Sequence, residues 1–297
     1  MRAVATPPPP SLLRRAVRAL PRRRRAAAQD QLRQRYLALL RGALTHTLYW
    51  PLDLMAEGDY VMPDALREAV QKAWREGQVD LAQGRQEGRD WPQFAQTMVG
   101  TQRLENVQWC VERVLADGVP GDLIEAGVWR GGVAILMRAL LEIHSIRDRV
   151  VYAADSFVGL PPPNVDAYPA DEHDELFAAE ALAVSRQDVE RNFQAYDLLD
   201  EQVRFLEGWF KDTLPTVRDR TWAVVRIDGD MYESTMDALV NLYPSLAPGG
   251  FVIIDDYAHA PCRQAVQDYR SAHAIEAPIT PIDWTGVFWR RAAASAR

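Results

Sequence analysis

Two nearly continuous β-branched runs constrain this chain more than any other feature. They are Trp222-Ala223-Val224-Val225-Arg226-Ile227 and Phe251-Val252-Ile253-Ile254. Such runs are expected as buried parallel strands. Each ends in acid: Asp228 closes the first, and Asp255 and Asp256 close the second. Between them residues 232–246 read as a helix, closed by Pro248-Gly249-Gly250. A strand, a crossover helix and a second parallel strand bring both strand ends to one edge of the sheet, where open α/β sheets hold their ligands. One aspartate at a strand end is ordinarily a helix cap or a turn former. Three at the ends of consecutive strands, with no lysine nearby, repel one another and call for a cation. An all-oxygen donor set favours Mg²⁺, Mn²⁺ or Ca²⁺ over Zn²⁺.

The alternation extends over the C-terminal part of the chain. Strands are expected at 122–128, 150–155, 202–207, 222–228, 250–255, about 278–283 and 286–290, with helices at about 131–144, 188–196, 212–217, 232–246 and 261–274. The last two strands are joined by Trp284-Thr285-Gly286, a turn short enough to permit only an antiparallel hairpin. The expected class is therefore α/β: seven strands, mostly parallel, with the last pair antiparallel. Upstream, helical periodicity runs through residues 29–48, 63–77 and 93–118, and the polar, glycine-bearing stretch 84–91 reads as a mobile loop. The division expected is a basic Pro/Arg-rich arm over residues 1–28, disordered at its start, N-terminal helices over 29–118 acting as lid or oligomer contact, and a core domain over 119–297.

Charge and cysteine usage narrow the partners. The first 28 residues carry eight arginines and no acid, so the formal −7 of the whole chain leaves the remainder at −15. An acidic body argues against nucleic acid as the main partner. No stretch approaches the roughly 18–20 apolar residues of a membrane span. The arm lacks the apolar segment and cleavage site of a secretory signal. Cys110 and Cys262 lack metal-ligand spacing and read as reduced, structural thiols of a cytoplasmic protein.

The first core strand leads into Glu125-Ala126-Gly127-Val128-Trp129-Arg130-Gly131-Gly132 and then a helix. Glycines there let backbone approach a ligand at the helix N-terminus. The spacing is G-x-x-x-G-G, unlike the G-x-G-x-x-G of dinucleotide binders. Asp155, ending the second strand, is placed to accept from ribose hydroxyls. After the third strand, in Glu207-Gly208-Trp209-Phe210, Gly208 opens room and an aromatic can flank adenine. Together these describe a nucleoside site beside the three aspartates.

Four motifs, 125–132, Asp155-Ser156-Phe157-Val158-Gly159-Leu160, Arg226-Ile227-Asp228-Gly229-Asp230-Met231-Tyr232 and Ile254-Asp255-Asp256-Tyr257, resemble the macrocin O-methyltransferase family. That family uses S-adenosyl-L-methionine and Mg²⁺ to methylate sugar hydroxyls on antibiotics. The resemblance runs from about Tyr36 to Arg290 and includes Asp90-Trp91-Pro92 and Thr97-Met98-Val99-Gly100. It implies the class I methyltransferase sheet, with Asp228, Asp255 and Asp256 as metal ligands and Asp228 also as catalytic base. Residues 125–130 would hold the methionine end of the donor and Asp155 its ribose. The implied cofactor-binding set is Thr97, Met98, Glu125, Ala126, Gly127, Val128, Trp129, Arg130, Asp155, Ser156, Phe157, Gly159, Gly208 and Trp209. Two departures are visible: the basic arm is longer than expected for the family, and in Tyr49-Trp50-Pro51-Leu52 a tryptophan stands where members often carry an acid.

The implied partner is a small-molecule or glycan sugar substrate, with a homo-oligomer as the expected assembly. The acid-rich loop 161–177 reads as solvated, with a lid over the acceptor as the sharper alternative. His173 and His259 are alternative bases, both expected at the surface. Three other functions fit part of the pattern: a catechol or phenolic O-methyltransferase, a metal-dependent hydrolase, and a non-enzymatic nucleotide-binding interaction module.

Overall fold

The apolar runs form the centre of one sheet of seven strands: β1 (Asp122–Ala126), β2 (Val151–Asp155), β3 (Val203–Glu207), β4 (Trp222–Ile227), β5 (Leu246–Ile254), β6 (Thr280–Pro281) and β7 (Val287–Arg290). In this computed structural model the described residues are 22–49, 72 and 81–292. The strand order is β3-β2-β1-β4-β5-β7-β6. Neighbours from β3 to β5 run parallel, whereas β7 is antiparallel to both β5 and β6. The expected mixed sheet is therefore the observed one.

Eight helices accompany it among the described residues: α1 (Arg22–Leu44), α2 (Leu81–Glu87), α3 (Thr101–Ala116), α4 (Gly132–Ile143), α5 (Arg186–Ala195), the single turn α6 (Phe210–Thr213), α7 (Tyr232–Leu242) and α8 (Ala260–Ala272). Strand alternation sends Ile124 and Ala126 into one apolar cluster with Ala238, Leu239 and Leu242 of α7 and Val266 and Tyr269 of α8. Fully buried leucines of this kind contribute about 1.5–3 kcal/mol each. Helix α3 packs on α4, β4 and β5, and its Trp109 meets Phe251 edge to face at 5.3 Å. Cys110 and Cys262 are buried free thiols, as expected.

Several boundaries differ from the sequence reading. Helix α7 ends at Leu242 in a 3₁₀ turn, Tyr243–Ser245, and β5 begins at Leu246. The Pro-Gly-Gly segment read as a helix stop thus lies inside the strand. There the register jumps from Trp222↔Leu246 to Val224↔Phe251. Proline without an N–H and glycine at φ 86° fit such an irregularity and no regular ladder.

Nor is the 84–91 stretch a free loop. It is helical to Glu87, because the buried Arg85 side chain donates to the carbonyls of Met98 (2.7 Å) and Val99 (2.9 Å) and pairs with Asp90 at 3.0 Å. Helix α3 starts at Thr101 rather than near 93, since Gly100 lies against the backbone of Gln86 and Glu87. Helix α1 begins inside the arm, at Arg22, in a run of arginine and alanine that favours helix.

The sheet and its cavity belong to the compact unit Arg41–Arg297, and the residues before it form a separate unit. The arm before Arg22, Trp50-Pro51-Leu52 and the expected helix at 63–77, save Lys72, lie outside the described residues. No described helix is long and apolar enough to cross a membrane.

Candidate active site

The carboxyl ends of the parallel strands open into a cavity of about 580 Å³. Ladder bonds running past the strand ends place its acids. Asp228 N donates to Ala126 O (2.8 Å) and Asp255 N donates to Ile227 O (2.9 Å). Asp228, Asp255 and Asp256 thereby converge, each offering an oxygen within 4.8 Å of the others. The acids joined on the basis of their strand ends are one cluster.

Two buried arginines hold this cluster in shape. Arg226 stands opposite Glu125 in the β1–β4 register. It donates to Glu125 Oε1 (2.6 Å), Asp228 Oδ2 (2.9 Å) and Asp255 Oδ1 (2.5 Å). Arg103, from the first turn of α3, pairs with Asp255 Oδ2 and reaches Asp283 Oδ2 at 2.9 Å. Burial alone would raise the Asp255 carboxyl, but the two guanidinium groups outweigh it and keep the pKa below the ordinary value. Its neighbours shift the other way. Burial and the charge of Asp255 raise Asp228, against the pull of Arg226. Burial and the charges of Asp230, Asp228 and Asp255 push Asp256 well up. Burial and Asp228 bring Asp230 to about 8. Among the described residues no lysine or arginine pairs with Asp256 or Asp230. Negative charge on the cavity side therefore exceeds what the arginines neutralise, and the donor set is all oxygen. The residues fit a hard divalent cation.

The glycine loop fits a nucleoside-bearing ligand. Gly127 adopts φ 90°, and a Cβ there would collide with the Asp228 carbonyl. The loop and the acid cluster are thus in direct contact. Trp129 holds a left-handed φ of 47° and donates its indole N–H to Ala181 O at 2.8 Å. Glu125, 1% exposed, keeps Oε2 without a hydrogen-bond partner. Burial, opposed by Arg226, raises its carboxyl to about 8. A buried acceptor of this kind at the cavity wall suits an ammonium donor. Asp155 already accepts from the N–H groups of Val128 (2.8 Å), Trp129 (3.3 Å) and Phe157 (2.8 Å), so it organises the loop as a cap does. Ser156 Oγ lies 3.5 Å from its Oδ1, and the residue lines the cavity.

Of the expected cofactor set, Thr97, Met98, Glu125, Gly127, Val128, Trp129, Asp155, Ser156, Gly159, Gly208 and Trp209 line this cavity. Ala126, Arg130 and Phe157 do not. Ala126 is buried within β1, Arg130 turns away to donate to Ala95 O (2.9 Å), and Phe157 packs on Phe205. Arg103, Lys211, Glu233 and Asp237, together with Trp284 and Thr285, which the sequence marks only as a hairpin turn, also line the cavity. Arg226 carried a signal, because a charge inside a fully buried strand must be paired.

The loop expected as solvated is tethered. Asp171, fully buried, accepts from the N–H groups of Tyr232 (2.7 Å) and Glu233 (3.0 Å), so a distant loop caps α7, which lacks a cap of its own. His173 is exposed, as expected. His259 is exposed too, but lines the cavity, with Nδ1 3.1 Å from Asp230 O. Asp171→Ala is expected to cost about 1–2 kcal/mol, lowering Tm by about 2–4 °C per kcal/mol, and to expose 161–184 to protease. An unchanged Tm and cleavage pattern would contradict the tether.

Comparison with known proteins follows the same lines. The macrocin-O-methyltransferase (TylF) family matches residues 33–291. An 8-demethyl-8-(2,3-dimethoxy-α-L-rhamnosyl)-tetracenomycin-C 4′-O-methyltransferase of Streptomyces olivaceus is 52% identical, covering 90% of this chain and 97% of that protein. A demethyldecarbamoylnovobiocin O-methyltransferase of Streptomyces niveus is 56% identical over 70% of this chain and 80% of its own length. Among solved structures, the O-methyltransferase NovP superposes with a TM-score of 0.76 at 48% identity, covering 88% of this chain and 99% of that one.

Proposed function

This chain belongs to the macrocin-O-methyltransferase family and is an S-adenosylmethionine-dependent O-methyltransferase; from that premise we propose that it methylates a sugar hydroxyl of a glycosylated natural product, with a divalent cation at Asp228, Asp255 and Asp256. The observation that carries this reading is the contact between the acid cluster and the glycine loop at Gly127. It brings the place for a cation-held hydroxyl next to the place for a methyl donor. The rhamnosyl acceptor named for the Streptomyces olivaceus relative supports a sugar as the methylated group. A hydrolase or a docking module has no ground left once the family is established.

The donor is a sulfonium carrying a reactive methyl group, and its ammonium end suits the unpartnered Glu125 Oε2. Gly208 and Trp209 would flank the base and Asp155 the ribose. A Mg²⁺ held by the three aspartates would act as a Lewis acid, lowering the pKa of the attacking hydroxyl. Asp228 takes the hydroxyl proton: its carboxylate is partly open to the cavity that would hold the hydroxyl. Methyl transfer neutralises charge, so alignment and exclusion of water contribute more than stabilisation of an oxyanion.

Calorimetric titration with adenosylhomocysteine, with and without Mg²⁺, tests the arrangement without an acceptor. The double variant Asp255→Asn/Asp256→Asn is expected to bind adenosylhomocysteine within a few fold of the wild type but to lose any response to Mg²⁺. Turnover should be sought with the rhamnosyl tetracenomycin, with demethyldecarbamoylnovobiocin and with a catechol, each with and without chelator. Methylation of the catechol alone would overturn the sugar assignment. Full activity in chelator would overturn the cation.

A further inference from the structure

Arg103 joins the acid cluster to the outer wall of the cavity. Its side chain is 6% exposed and divides three ways. One Nη pairs with Asp255 Oδ2, Nε donates to Asp283 Oδ2 at 2.9 Å, and the other Nη donates to Gly88 O at 3.2 Å. Gly88, at φ 64°, has no room for a Cβ against that Nη. Its neighbours bind the same wall together. Trp284 donates its indole N–H to Glu87 O at 2.8 Å, and the Arg89 guanidinium stacks 4.6 Å over the Trp284 ring. Thr285 Oγ1 donates to Asp255 O at 3.0 Å. The wall and a carboxylate of the cluster therefore share one cation as their common anchor.

We propose that Arg103 is a positioning residue with two separable effects: it moderates the cation affinity of the aspartate cluster, and it holds the wall formed by residues 88–91 and Trp284 against the acceptor. The proposal rests on the cation reading above. A fixed positive charge beside the cluster opposes a second cation, so removing it strengthens cation binding. The planar fork alone can serve three acceptors in a fixed geometry, and an ammonium in its place cannot. The wall consequently depends on the fork, whereas the cation affinity depends on the charge.

Mn²⁺ binding, followed by electron paramagnetic resonance or calorimetry without turnover, separates the two effects. Arg103→Gln is expected to bind Mn²⁺ about tenfold tighter than the wild type, and Arg103→Lys within about twofold of it. Both variants should raise acceptor KM more than they lower kcat, and both should open residues 84–91 to limited proteolysis. A merely structural arginine predicts weaker Mn²⁺ binding in both variants. Equal or weaker Mn²⁺ binding by Arg103→Gln overturns the charge effect. Should that variant fail to fold, wild-type protection and KM in Arg103→Lys overturn the tether. A wild type that binds no Mn²⁺, or an Asp255→Asn/Asp256→Asn variant that binds it equally well, refutes the cation reading itself and the inference with it.

Discussion

Asp228→Asn is expected to lower kcat by a factor of about 10² or more, while adenosylhomocysteine affinity stays within a few fold. The substitution keeps the side chain's size and leaves one oxygen to accept from Arg226, which now reaches Asp228 Oδ2 at 2.9 Å. The ladder bond from Asp228 N to Ala126 O is a backbone contact and survives, so the Gly127 loop keeps its support. What is lost is a carboxylate oxygen, partly open to the cavity, that can take a proton where an amide cannot. A weakened cation site would also slow the enzyme, and the two causes separate under a Mg²⁺ titration. If Asp228 were a ligand alone, saturating Mg²⁺ would restore kcat. If it takes the proton, kcat stays low at every Mg²⁺ concentration. Rescue by the metal, or near-wild-type turnover without it, would remove Asp228 as the base. Thermal melting of the same variant guards against a trivial loss of fold.

The parts of this protein legible in sequence are those set by local pattern. The runs before Asp228 and Asp255 are largely β-branched, and they became the fully buried β4 and the buried end of β5, Phe251–Ile254. Their terminal acids followed from the parallel crossover alone. The G-x-x-x-G-G turn was visible because the bend at Gly127 demands a residue with no Cβ. What was illegible depends on partners remote in sequence. Arg103 meets acids 152 and 180 residues away, and no spacing rule announces such a contact. Asp171 caps a helix 61 residues downstream from within a polar loop that its composition describes as solvated. The early start of β5 was hidden by Pro248-Gly249-Gly250, whose local chemistry says stop while the sheet on either side continues. Arg226 lies between these cases. Its pairing was required by its place in a buried strand, but not the identity of its three carboxylate partners.

That placement leads to the largest expected effect on stability. Arg226→Met keeps the volume and removes the charge from a side chain that is 1% exposed between Glu125, Asp228 and Asp255. Replacing a whole buried ion cluster by apolar groups can be neutral, but removing one member strands the rest. The expected cost is about 3–5 kcal/mol, or roughly 10 °C in Tm for a chain of this size. Asp255 retains Arg103, so the exposed liability is chiefly Glu125, which is equally buried. Burial already raises the Glu125 carboxyl to about 8 against the opposing pull of Arg226, and without that pull it rises further. An acid whose folded pKa lies above its unfolded value favours the folded state while protonated, and loses that advantage as pH climbs through the folded pKa. The Glu125 share of the Arg226→Met penalty is therefore fullest above the variant's raised pKa, shrinks as pH falls to about 8, and is constant below that, where the acid is protonated in both folded proteins. Scanning calorimetry of wild type and variant from about pH 10 down to about pH 8 should show the Tm gap narrowing. Adding Glu125→Gln to the variant should recover much of the loss at about pH 10 and little at about pH 8, because the neutral amide mimics the protonated acid. A gap that stays constant or widens on acidification would mean that Arg226 stabilises the fold by packing, and that the charges around it are compensated elsewhere.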